Sequence, residues 1–110
     1  MPTKRILVKQ EVATYAKCLL EAAQDADRVF EDIEGIKNVR TALVKSSQVR
    51  EFLQNPNISA ENKSAFVKDA FAGVAPEVVS TVAVMAERGD TKLLGRVAAA
   101  YEAAAEKALD

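Results

Sequence analysis

Val12-Ala13-Thr14-Tyr15-Ala16-Lys17-Cys18-Leu19-Leu20-Glu21-Ala22-Ala23 is the stretch whose reading decides the fold. Val12, Tyr15, Ala16, Leu19, Leu20 and Ala23 recur at the offsets of one helical face. Gln10, Thr14, Lys17, Glu21 and Gln24 form a narrow polar stripe at spacings of 4, 3, 4 and 3. An ordinary surface helix needs an apolar stripe of only about 100°, and this one is wider. The pattern predicts a first helix from about Lys9 to Gln24, with residues 1–8 as a flexible lead-in.

The same periodicity continues downstream and its interruptions divide the chain into six helical pieces. A second, from about Ala26 to Lys45, carries Val29, Phe30, Ile33, Ile36, Val39, Leu43 and Val44, with Asp25 or Asp27 as cap and Gly35 inside it. Gln48 to Gln54 follows the expected cap Ser47 and ends at Asn55-Pro56-Asn57, because proline disfavours helical geometry in the residue before it. Ser59 caps a fourth piece with Phe66, Val67, Ala70, Phe71 and Val74, and Gly73 stands where a left-handed C-cap is expected. Pro76 opens a fifth, Pro76 to Arg88, closed by Gly89-Asp90. A sixth runs from about Thr91 through Leu93, Leu94, Val97, Ala98, Tyr101, Ala105 and Leu109. The expected fold is all-α, a compact six-helix bundle over residues 9–110 in a single domain.

Composition agrees. In 110 residues, 49% are hydrophobic, 28% charged and 5% aromatic, with only four glycines and three prolines, which favours helices over a turn-rich β sandwich. Fifteen basic against sixteen acidic side chains give a net charge of −1, which argues against phosphate-driven nucleic-acid binding. No histidine is present, which removes the commonest general base and the usual serine or cysteine triads. The lone Cys18 allows no intrachain disulfide and no thiolate metal cluster. It reads as small filler within its helix, in a chain suited to a reducing compartment. The run Ile6-Leu7-Val8 is too short for a secretory signal, and no apolar run approaches the ~20 residues that cross a bilayer.

Candidate chemistry is sparse. Asp25, Asp27, Glu31, Asp32 and Glu34 crowd the start of the second helix, where they read as a solvated face compatible with the helix dipole. Gly89-Asp90-Thr91-Lys92 lacks the order of a phosphate loop and reads as a helix–helix turn. These residues assign no catalytic, cofactor-binding or metal-binding role.

The fifth helix repeats the anomaly of the first. Glu77, Thr81 and Arg88 mark an outward line completed by Val84, while Val78, Val79, Val82, Ala83, Met85 and Ala86 cover most of the remainder. Such helices either form the bundle centre or border a groove for an amphipathic partner helix. In the second case Tyr15 supplies rigid contact area and the alanines admit another backbone.

Three segments carry a family resemblance. Val12-Ala13-Thr14-Tyr15-Ala16-Lys17, then Phe52-Leu53-Gln54-Asn55-Pro56 with Ile58-Ser59 and Lys63, then Val84-Met85-Ala86-Glu87-Arg88-Gly89 with Leu93-Leu94 and Val97, resemble the delta subunit of bacterial ATP synthase and its mitochondrial counterpart, the oligomycin-sensitivity-conferring protein. The resemblance implies a six-helix amino-terminal domain of a non-catalytic stator subunit. It also implies that this domain binds the amino-terminal helix of an alpha subunit between its first and fifth helices. Val12, Tyr15, Ala16, Leu19, Val84, Met85 and Arg88 are the positions expected at that groove. It further implies a carboxy-terminal domain, beyond this sequence, that contacts the b subunit of the peripheral stalk. The expected place is the cytoplasmic face of the bacterial plasma membrane, reached through the complex and without insertion. No cofactor is implied. A free-standing helical adaptor that accepts another amphipathic helix is the competing reading, and a carboxylate enzyme a more distant one.

Overall fold

Thr3 starts the first helix: its hydroxyl accepts a hydrogen bond from the Ile6 amide, satisfying one of the orphan donors of the first turn. Helix α1 therefore runs Lys4–Asp25, beginning earlier than its apolar periodicity suggests. Residues 4–8 of the expected lead-in are helical, and Met1 and Pro2 lie outside the described residues. The computed structural model describes residues 3–109.

Helix α2, Val29–Lys45, begins after a turn in which Asp27 takes the left-handed region at φ 55°. That turn uses up the residues expected to cap α2, and Arg28 occupies the N-cap without a side-chain capping bond. Helix α3, Ser47–Gln54, is capped by Ser46 rather than Ser47, the Ser46 hydroxyl accepting from the Val49 amide at 3.2 Å. Helix α4, Ala60–Ala70, is capped by Ser59 as expected. It ends before Gly73, which has no positive φ; among the described glycines Gly89 takes that conformation, at φ 74°. Helix α5, Pro76–Glu87, has proline in its first turn. A 3-10 turn, Thr91–Leu93, leads into α6, Leu94–Ala108. The described residues thus form an all-α fold of six α-helices with no strand.

The core draws on every helix: Leu19 and Ala23, Ile36 and Val39, Leu53, Val67, Val78 and Met85, Val97 and Tyr101 are all fully buried. Each large aliphatic side chain so buried stabilises the fold by about 1.5–3 kcal/mol before entropy is counted. Helix α1 lies against α6 and α5, α5 also packs on α4, and α2 packs on α6. The Cα radius of gyration is 13.6 Å, close to the ~13 Å expected of one globule of this length.

Gly35 does not break α2. It lets α2 approach the start of α5, where an added Cβ would meet Val78 Cγ2 at 3.3 Å and Val74 Cγ1 at 3.4 Å.

Five burial assignments read from the pattern are corrected. Asp32 is wholly buried, not part of a solvated face, because α2 turns it toward α5 and α6. Phe30 and Val44, counted with the apolar face of α2, are 62% and 64% exposed. The Glu77 carboxylate points inward to pair with Arg28, and Cys18 is exposed rather than filler.

Candidate partner-helix groove

Helices α1 and α5 are in contact side by side, and one hydrogen bond ties the middle of the first to the end of the second. Tyr15 Oη donates to Asp90 Oδ2 at 2.6 Å. Asp90 is placed by the left-handed Gly89 and by its own amide, which donates to the Met85 carbonyl at 2.7 Å. Burial first, and then the Asp90 carboxylate, push the Tyr15 phenol up to about 12. It stays a neutral donor throughout the physiological range.

Beside this tie lies a cavity of about 230 Å³ lined by Leu7, Gln10, Glu11, Thr14, Tyr15 and Arg88. Its wall mixes an apolar side chain with charges of both signs. The Thr14 hydroxyl is spent on the Gln10 carbonyl of its own helix, at 2.9 Å. On α5, Val84 lies one turn before Arg88, whose amide donates to the Val84 carbonyl at 3.1 Å. Residues four apart share a helix face, so Val84, 42% exposed, continues the line that Arg88 carries to the cavity.

The seven positions expected at the groove separate into layers. Val84 and Arg88 are exposed on one face of α5. Tyr15 lines the cavity but is 7% exposed and faces inward to Asp90. Ala16, Leu19 and Met85 are core residues, able to shape the groove only from beneath. Val12 is also buried, and it lines a different depression, with Lys9 and Ala13 of α1 and Arg96, Ala99 and Ala100 of α6. Helix α1 is broad enough in its apolar surface to serve two neighbours, and Val12 falls on the α6 side.

Leu7, Gln10, Glu11, Thr14 and Asp90 were not read from the sequence as groove residues. Gln10 and Thr14 were hidden in the polar stripe, and Leu7 in the expected lead-in. Thr3 was the available signal, since a capping threonine three residues before Ile6 marks a helix that already contains Leu7.

The second polar cluster of the bundle lies between α2, α5 and α6. Glu77 Oε1 accepts from Arg28 Nε at 2.8 Å and Oε2 from Arg28 Nη2 at 3.0 Å. That two-pronged bond chiefly holds the Glu77 carboxyl down at about 2. Asp32 lies beside this pair with neither carboxylate oxygen hydrogen-bonded. Burial, and next the Glu77 carboxylate, push Asp32 up to about 7. Tyr101 Oη donates to the Val29 carbonyl at 2.8 Å, and burial pushes its phenol up. The cluster is structural in geometry, a guanidinium–carboxylate pair linking the start of α2 to α5 beside a buried carboxyl.

Fold and surface together define an all-helical bundle in which two apolar-rich helices lie in contact beside an open depression. Comparison with known proteins narrows that class. Residues 12–110 match the family model described as ATP synthase delta (OSCP) subunit, and the chain belongs to that family. It is 31% identical over 94 residues to the ATP synthase subunit delta of Lysinibacillus sphaericus, covering 86% of this chain and 53% of that protein. Corresponding subunits of Priestia megaterium and Bacillus pumilus are 28% and 24% identical over 87 residues, covering 79% of this chain and 48% of each relative. The chain therefore spans about half the length of the curated relatives it matches.

Proposed function

We propose that this chain is a non-catalytic element of the ATP synthase stator that captures the amino-terminal helix of an alpha subunit in the groove between α1 and α5. The observation that carries the reading is the continuous surface line from Val84 through Arg88 into the cavity bordered by Leu7 and Tyr15. An amphipathic helix laid along that line covers Val84 and Leu7 and sets polar side chains against Glu11 and Arg88. The Tyr15–Asp90 bond holds the two walls at a set separation before the partner arrives, which lowers the ordering cost of binding.

The role is mechanical. A stator must resist the torque of the turning rotor, and buried apolar area serves this better than exposed ion pairs, each of which contributes about 0–1 kcal/mol. Contact with the b subunit of the peripheral stalk belongs, in this reading, to the half of the longer relatives that this chain does not match. No helix of the described residues is long and apolar enough to cross a membrane. Attachment to the cytoplasmic face of the bacterial plasma membrane then comes through the complex.

The test is a calorimetric titration of the 110-residue chain with a synthetic peptide of the alpha-subunit amino-terminal segment, paired with amide chemical-shift mapping of the isotope-labelled chain. One-to-one saturation, with shifts in Leu7, Thr14 and Arg88 amides, supports the groove. Saturation with shifts confined to the α1/α6 depression or to α2 overturns it, as does an absence of binding.

A further inference from the structure

Where the end of α2, α3 and the start of α6 meet, away from the α1/α5 groove, a second cavity of about 320 Å³ opens. Arg40, Arg50 and Lys92 all line it, and no carboxylate does. Among the described residues none of the three cations is in an ion pair. Like charges around one cavity repel, a cost that a bound anion relieves.

One of the cations is held in place, and a second lies against the backbone of α6. Arg50 donates through Nη1 to the Leu43 carbonyl at 2.7 Å and to the Val44 carbonyl, in the last turn of α2. The Arg40 guanidinium lies over Gly95 in the first turn of α6. A Cβ built at Gly95 would come within 2.9 Å of Arg40 Nε and 3.4 Å of Cζ. The absent side chain leaves room for the guanidinium there.

We infer that this cavity binds a small, multiply charged phosphate anion. One carboxylate would neutralise a single charge of three. A pyrophosphate-sized anion offers enough oxygens for two guanidinium groups and an ammonium, and guanidinium geometry matches phosphate oxygens in pairs. The volume admits such an anion against the apolar floor of Leu43, Leu53 and Leu94.

The experiment is a titration of the isotope-labelled 110-residue chain with inorganic pyrophosphate at low ionic strength, where exposed charges are least screened. The Thr91, Leu94 and Gly95 amides shift and saturate below about 10 mM, a weak but specific range. Acetate at matched ionic strength leaves them unmoved. Arg40→Gln with Lys92→Gln, and separately Gly95→Ala, which displaces the Arg40 guanidinium, each weaken the effect about tenfold or more, the scale of a lost charge-assisted bond. Thermal unfolding of the unliganded variants verifies that they fold. Unchanged binding in folded variants overturns the inference. So do shifts spread over all basic surfaces, an equal response to acetate, and no saturation.

Discussion

Tyr15 and Asp90 are 75 positions apart in the chain, yet the phenol of one donates to the carboxylate of the other at 2.6 Å. This bond joins α1 to the turn that follows α5, and so sets one wall of the candidate groove against the other.

Tyr15→Phe removes that bond and keeps the ring. Stability is expected to fall by about 1–2 kcal/mol, the range for a partly buried hydrogen bond to a charged acceptor. Urea unfolding at pH 7 measures it. The wild-type chain should also lose stability as pH rises from about 10 toward about 12, because the unfolded phenol ionises first while the folded one keeps its proton. The Phe variant loses this component of the alkaline slope.

The buried carboxyl of Asp32 makes an opposite demand on pH from that of its neighbour. Its folded pKa of about 7 lies above the unfolded value of 3.8, so its contribution is complete below pH 3.8 and lost as pH rises through 7. Glu77, held at about 2, contributes above pH 4.5 and loses that contribution as pH falls through 2. Asp32→Asn is therefore expected to stabilise the chain at pH 8 by about 1–3 kcal/mol, the scale of relieving a buried unpaired polar group. It should also flatten the stability profile between pH 4 and 7. Urea midpoints across that range measure both effects, and an Asn variant less stable at pH 8 contradicts the account.

Gly35→Val tests the close approach of α2 to α5. Its branched side chain must displace Val78 and Val74, which already lie 3.3 and 3.4 Å from the position of a Cβ. Overpacking of this kind costs about 1–3 kcal/mol, enough to outweigh the loss of glycine's backbone freedom. Gly73→Val, where nothing lies within 4 Å of an added Cβ, is the control for backbone effects and should cost less. Thermal unfolding of the pair separates the two.

Val84→Asp addresses function rather than stability. Val84 is 42% exposed, so the charge is tolerated by the free chain. It would face the apolar side of a docked helix, and affinity for the alpha-subunit peptide should fall by at least about 2 kcal/mol, the scale of an interface hot spot. Calorimetry on wild type and variant decides; equal affinities remove Val84 from the groove.

The helical class, the six segments, the Ser59 cap and the proline start of α5 were legible because they depend on residues only a few positions apart. The near-continuous apolar surface of the first and fifth helices was legible for the same reason. The family resemblance joined these local signals into one order, and the family match bears it out. Errors gathered where two plausible caps adjoin, as at Ser46 and Ser47, and where a turn takes residues from a helix, as at Asp27.

Periodicity in the sequence by itself determined which residues share a helix face, and hence that α1 and α5 have more apolar surface than one neighbour can cover. Only the tertiary structure decided which neighbour each face met. Val12 was drawn to α6, Tyr15 to Asp90, and Asp32 inward beside a guanidinium–carboxylate pair formed across two helices. The physical reason is that a helix face is set by bonds four residues long. Burial of a particular side chain depends instead on packing against segments far along the chain, and no local spacing records that.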